Sequence, residues 1–173
     1  MKSQRPRTVM YRRKREQRTN YTKRLQILLA GKPRLVVRMT NTQVIAQVVQ
    51  FTTQGDRVLA AVSSHHLRDL GWTFSCKNIP AAYLMGLLIG KAAVKNKVHE
   101  AVLDTGLVTP LHKGRFYAFL KGALDGGLRV PHSDGKDIFP TVERIEGKHI
   151  QGTASSAQKI TAEFAVIKKK IMT

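Results

Sequence analysis

Apolar and polar positions change rhythm along this chain, and each rhythm predicts a different structure. From Leu35 to Met39 the sequence is short, β-branched and nearly all apolar, which predicts a strand. Thr40-Asn41-Thr42 predicts a turn. Gln43 to Phe51 predicts a second strand, in which Gln43, Gln47 and Gln50 break a run rich in Val and Ile. Gln54-Gly55-Asp56 is a turn signal, and Arg57 to Ser63 reads as a third strand. Connections this short imply an antiparallel meander. The period then shifts to three and four. Ala81, Leu84, Met85, Leu88 and Ala92 predict a helix that begins at Asn78, a residue suited to an N-cap, carries Pro80 in its first turn and runs to about Lys97. Leu87, Ile89 and Val94 widen its apolar face, so it is expected to be deeply packed. Gly86 and Gly90, four apart, permit close approach to a sheet or another helix.

Glu100 to Asp104 predicts a short strand, followed by a helix from near Arg115 to a C-cap at Gly126-Gly127. Leu128 to Val130 reads as another short strand. After Pro131 the pattern weakens; residues 147–158 look loop-like and 158–172 predict a basic terminal helix. No internal repeat is present. The order β-β-β-α-β-α describes an α/β domain of two or three layers: a three-stranded antiparallel meander, then a crossover helix and strand.

Ahead of the meander the rhythm is absent and charge replaces it. Residues 1–24 hold ten Lys or Arg against Glu16 alone, with almost no aliphatic side chain to anchor a core. Such a segment is expected to be disordered when free, because it cannot bury enough surface to offset its chain entropy. Arg, Lys, Gln and Leu from Arg12 to Leu29 favour a helix once phosphates are bound. The chain therefore divides into a basic N-terminal arm (1–33), a globular α/β core (34–135) and a C-terminal extension with a basic helix (136–173).

The whole chain of 173 residues carries 30 Lys and Arg against 11 Asp and Glu, a formal charge of +19. A hydrophobic fraction of 42% excludes a wholly disordered basic chain. So large a charge calls for an anionic partner, and nucleic acid ranks ahead of an anionic membrane or an acidic protein. The start of the chain has no apolar segment of the secretory kind, and the longest apolar run, 79–90, is too short for a bilayer span of roughly 20 residues. The single cysteine, Cys76, excludes an intrachain disulfide and reads as a buried apolar residue rather than a nucleophile.

The element order resembles the ribonuclease H-like fold, so two-metal phosphodiester cleavage must be tested. It needs carboxylates on the first strand, the long helix and the fourth strand. Here the first strand carries Arg38, the helix from Asn78 to Lys97 has no Asp or Glu, and Asp104 stands alone. No phosphate-cradling glycine loop or dinucleotide fingerprint is present. His65, His66, His99, His112, His132 and His149 lack metal-ligand spacing. His65 and His66, adjacent on a strand, would face opposite ways. No enzyme, cofactor or metal is expected.

Five stretches carry a resemblance to a known family. YRRKREQRTNYTKRLQILLAGKPRLVVRMTN is followed in order by NTQVIAQVV, LGWTFSCKNIPAAYLMGLLIG, EAVLDTGLVTP and GALDGGLRVPHSD. Over residues 10–135 the chain resembles the large-subunit ribosomal proteins that bind 5S ribosomal RNA, the L-eighteen family (L-five in eukaryotes), in its archaeal form. Residues 136–173 align with no motif of that family. The resemblance implies a structural role: docking 5S rRNA in the central protuberance of the cytoplasmic ribosome. It implies 5S rRNA, large-subunit rRNA and neighbouring ribosomal proteins as partners, with no membrane and no homo-oligomer.

Individual residues fit RNA contact. Arg5, Arg7, Arg12, Arg13, Lys14, Arg15, Arg18, Lys23 and Arg24 offer phosphate contacts, the arginines with bidentate forks. Tyr11 and Tyr21 can stack on bases. A solvated tail or a localisation signal is the competing view of this arm. Lys32, Arg34 and Arg38 continue the basic track onto the first strand, and Asn41 in the turn can read a base or a 2′-hydroxyl. His65 and His66 fit RNA contact or plain exposure. Trp72 fits either stacking on RNA or closing the core. His112, Lys113, Arg115 and Tyr117 open the second helix, where phosphate is favoured, with ordinary helix-end solvation as the alternative.

Overall fold

Two short helices precede the sheet. The computed structural model describes residues 9–133, 138–150 and 154–172. It begins with Arg12–Arg15 (α1) and Tyr21–Leu29 (α2). The arm is therefore helical in two pieces rather than one. Gln17 adopts a φ of 52°, which ends the first piece, and the Asn20 carboxamide accepts from Lys23 N at 3.0 Å, which starts the second.

Arg34–Met39 (β1), Val44–Thr52 (β2) and Gly55–Ser63 (β3) form the expected antiparallel meander. Burial alternates as a half-covered sheet requires. Leu35, Val37, Val44, Ala46, Val48, Ala60 and Val62 are buried on the inner face. Arg34, Val36 and Arg38 lie on the outer face, opposite Val49, Gln47 and Ile45 of β2. His65–Asp69 follows as a short helix (α3), which corrects the strand reading of His65-His66. Leu67 turns inward there, and His66 Nδ1 lies 3.1 Å from Ser63 O.

Ile79–Lys95 (α4) crosses the inner face, and twelve of its seventeen residues are buried, so it is covered on both sides. Asn78 caps it as expected, accepting from Ala81 N at 2.9 Å. It leads to Val102–Asp104 (β4), which pairs parallel with β1 and completes the order β3-β2-β1-β4. The predicted strand at Leu128–Val130 reduces to one bridge, Glu100 with Arg129. Pro131 has no N–H to extend it.

Arg115–Asp125 (α5) packs on α4 through glycines. A Cβ on Gly86 would lie 2.0 Å from Phe119 O, and one on Gly122 would lie 2.1 Å from Tyr83 O. Only glycine allows this crossing. Val142–Ile145 (α6) and Ala154–Met172 (α7) complete the chain. Ile160, Phe164, Ile167 and Ile171 of α7, at helical spacing, are buried in the main core. Its lysines help to fasten it: Lys168 Nζ stands 5.4 Å from the Tyr83 ring centroid, and Lys170 donates to Leu70 O at 3.0 Å. The Glu163 carboxylate accepts from Thr73 Oγ1 and N.

Candidate nucleic-acid interface

The outer face of the sheet meets α2 over β1 and β4, and a cleft of about 350 Å³ lies between them. Arg13, Arg18, Lys23 and Arg24 line it from the arm, and Arg34 and Arg38 from β1. Asp104 is the one carboxylate in the lining. Six cations spread from Arg13 to Arg38 thus converge on one concavity.

The cations are held in place by hydrogen bonds. Arg34 is 5% exposed and sits between two carboxylates. Its Nη2 donates to Asp56 Oδ2 at 2.6 Å and its Nη1 to Asp104 Oδ2 at 3.3 Å. Removing one member of such a buried pair typically costs about 3–5 kcal/mol, because a charge is left uncompensated. Arg34 Nε is buried with no partner among the described residues.

Arg38 reaches from β1 to β4. Its Nη1 donates to Val37 O and Asp104 O, both at 2.8 Å, while its side chain stays 45% exposed. Gly106, at φ +68°, makes room beside it, since a Cβ there would lie 3.1 Å from Arg38 Cζ. The Gly106 N–H donates to Asp104 Oδ1 at 2.8 Å. Asp104 is therefore an anchor for two arginines. It is buried and bonded, and among the described residues no group of three or more His, Cys, Asp or Glu is placed to hold a metal.

The arm meets the core through few bonds. Lys23 Nζ donates to Gly106 O at 3.1 Å and to Thr105 Oγ1 at 3.4 Å, and Arg24 pairs with Asp56 at 3.3 Å. Arg13 donates to Thr19 Oγ1, and Arg12 and Arg18 share Glu16. Lys14 and Arg15 are exposed on α1. The Tyr11 and Tyr21 rings touch at a tilt of 45° with centroids 5.3 Å apart, and Tyr11 is 72% exposed. Arg5 and Arg7 lie outside the described residues.

The remaining expected residues fall elsewhere. Lys32 pairs with Glu100. Asn41 is exposed in the β1–β2 turn. His65 Nε2 lies 3.1 Å from Gln43 Nε2. His112 packs on Tyr117 with centroids 5.5 Å apart, Lys113 N donates to Ile138 O, and Arg115 donates to Lys77 O. Trp72 requires a correction: it is 2% exposed, its indole N–H donates to Ser75 O, and Phe74 stands edge-on to it, so its ring closes the core and offers no face to a base. Cys76 is buried too.

Sequence reasoning missed Asp56, Thr105 and Gly106, which fix the cleft, and it considers Asp104 only as a metal ligand. The one signal available is the scarcity of acids: with so few, a carboxylate on a strand beside basic strands is expected to pair. No helix among the described residues is long and apolar enough to cross a membrane.

The arm, the meander and α4 coincide with a family match. Residues 6–99, more than half of the chain, fit the model for ribosomal large subunit proteins 60S L5 and 50S L18. The match takes in every cation lining the cleft, while Asp104 and the loop behind it lie beyond its end. The chain belongs to this family of large-subunit ribosomal proteins.

Proposed function

We propose that this protein binds 5S ribosomal RNA and anchors it in the central protuberance of the large subunit, with a structural and not a catalytic role. As a large-subunit ribosomal protein it works in the cytoplasmic ribosome, among ribosomal RNA and neighbouring ribosomal proteins. The observation that carries the proposal is the convergence of Arg13, Arg18, Lys23, Arg24, Arg34 and Arg38 on one cleft. The Arg34 and Arg38 forks, already held by Asp56 and Asp104, lose little freedom when they meet phosphate, so the β1 wall of the cleft is organised before RNA arrives. The exposed Arg12, Lys14 and Arg15 extend the cationic surface outward along the arm. Phosphate contacts of this kind fix position and register; base and shape contacts then select the RNA.

The test is competition binding of 5S rRNA, transfer RNA and duplex DNA, with intact protein and with Lys23→Glu/Arg38→Glu. Intact protein should prefer 5S rRNA by about a thousandfold, the low end of the margin between specific and non-specific complexes. The double variant should bind more weakly and flatten the salt dependence, by up to about 0.7–0.9 in log–log slope for each phosphate it no longer neutralises. Equal affinity for all three nucleic acids would remove the proposal.

A further inference from the structure

A second concavity, of about 690 Å³, lies on the helical side of the sheet where α4 begins. Distant segments build it: Asn41 from the β1–β2 turn, the loop from Phe74 to Asn78, Arg115 at the start of α5, and His149 ahead of α7. Its floor is apolar, formed by isoleucines that also belong to or border the core. No acidic side chain lines it. Glu163, on the neighbouring stretch of α7, is turned to Thr73 instead.

The chemistry around this floor is mixed in a particular way. Lys77 Nζ has no partner among the described residues, and Arg115 uses one nitrogen on Lys77 O at 3.2 Å and keeps the others. Asn78 commits its oxygen to Ala81 N, leaving its amide N–H groups for a ligand. Asn41 is exposed with its carboxamide unused among the described residues. His149 has its pKa lowered, first by burial and then by the Arg144 charge, so it adds a neutral ring rather than a third charge. Phe74 presents a partly covered aromatic ring. An aromatic face, two amides and two cations match a base, its hydrogen-bonding edge and the phosphates beside it. An acidic peptide would engage the cations and leave the ring and the amides idle.

We propose that this groove seats an unpaired nucleotide of RNA, its base against Phe74 and its phosphate toward Lys77 and Arg115, independently of the cleft beneath the arm. The proposal rests on the RNA-binding reading and adds a site on the opposite side of the sheet. The only tryptophan reports on it, because Trp72 stands edge-on to Phe74 with centroids 5.7 Å apart.

The experiment titrates the full chain with a single-stranded RNA tetranucleotide and follows Trp72 fluorescence. Inorganic tripolyphosphate and a glutamate-rich peptide are run beside it. Intact protein should change its emission with the tetranucleotide only. Lys77→Glu should weaken the tetranucleotide binding that Trp72 reports about tenfold or more, whereas Lys95→Glu, an exposed cation outside both concavities, should leave it unchanged, and Lys23→Glu is run beside them. Phe74→Leu should remove the fluorescence change and cost about fivefold to a hundredfold in affinity, the range of one base–aromatic stack. Lys77 is exposed, so its variant remains informative should Phe74→Leu fold poorly by circular dichroism. The inference is overturned if tripolyphosphate or the peptide reproduces the response, or if only Lys23→Glu weakens the tetranucleotide. Binding of intact 5S rRNA by Lys77→Glu separates the two proposals. Strong 5S binding with no tetranucleotide effect sinks the groove alone, and absent 5S binding by intact protein sinks the reading beneath it.

Discussion

At the scale of single residues, two buried polar side chains have roles that their types alone do not announce. Arg34 looks from the sequence like one more link in a basic track, yet it is the guanidinium that ties Asp56 to Asp104 on the outer face of the sheet. Its partners lie 22 and 70 residues further along, so nothing local in the sequence reveals them. Tyr83 is the second case. It is buried in α4 and donates to Asp125 Oδ2 at 2.6 Å, with Phe164 and Lys168 of α7 against its ring. Burial, then the hydrogen bond to Asp125 and its charge, raise the phenol well above its ordinary value of 10.0. In the unfolded chain the phenol ionises at that ordinary value, while the folded protein resists ionisation. The contribution of Tyr83 is therefore complete below about pH 10 and is lost as the pH climbs beyond it. Thermal midpoints measured from neutral to strongly alkaline pH should fall above that point. Tyr83→Phe should shrink the alkaline loss and cost about 1 kcal/mol at neutral pH through the missing hydrogen bond. An alkaline profile identical in the two proteins would show that Tyr83 titrates as freely folded as unfolded.

Elements are legible wherever a face is buried along a regular period. β1, β2 and β3 advertise themselves by β-branched runs between turn signals, and α4 by its apolar spacing and its Asn78 cap. α3 escapes such a reading because five residues are too few to show a helical period and only Leu67 turns inward. The composition of the arm favours helix throughout and so predicts one piece; the break comes from one cap, Asn20, and one left-handed residue, Gln17. The basic members of the site are legible as residues, but their convergence is not, since it depends on where α2 lies on the sheet. The glycine spacing in α4 does carry tertiary information. Gly86 meets α5 at the Phe119 carbonyl, and Gly122 meets α4 at the Tyr83 carbonyl. Alanine gains about 1 kcal/mol over glycine in helix propensity. Against that, the added methyl meets backbone at about 2 Å, and forcing apart a packed core costs typically 1–3 kcal/mol or more. Gly86→Ala and Gly122→Ala should each therefore destabilise the protein by about 2 kcal/mol in urea unfolding. A neutral or stabilising result for either would mean that the helices cross less closely than described.

For the molecule as a whole, the distribution of its few acids decides how the charge behaves. Asp56 and Asp104 hold arginines beneath the arm, Glu16 joins two arginines within it, Glu100 holds Lys32, and Asp125 and Glu163 bind Tyr83 and Thr73. These carboxylates act as fasteners, and among the described residues many of the remaining cations are exposed, in a chain whose formal charge is +19. A compact body in that state repels itself, and repulsion among exposed charges is screened over about 10 Å at 0.1 M salt and about 3 Å at 1 M. Buried pairs such as Arg34 with Asp104 are screened far less. Sodium chloride should therefore act with opposite sign on the two properties of the protein. Between about 0.1 and 1 M it should raise the thermal midpoint of the free protein by relieving repulsion, while it lowers affinity for RNA through counterion competition. Residues 1–24 hold +9 of the charge, leaving +10 by subtraction on the other 149. Protein lacking those residues should show a smaller rise in midpoint and a shallower salt slope in binding, the two shrinking together. A midpoint that falls with salt would mean that the ion pairs outweigh the repulsion. The cations would then be balanced within the free protein, and the charge would no longer require an anionic partner.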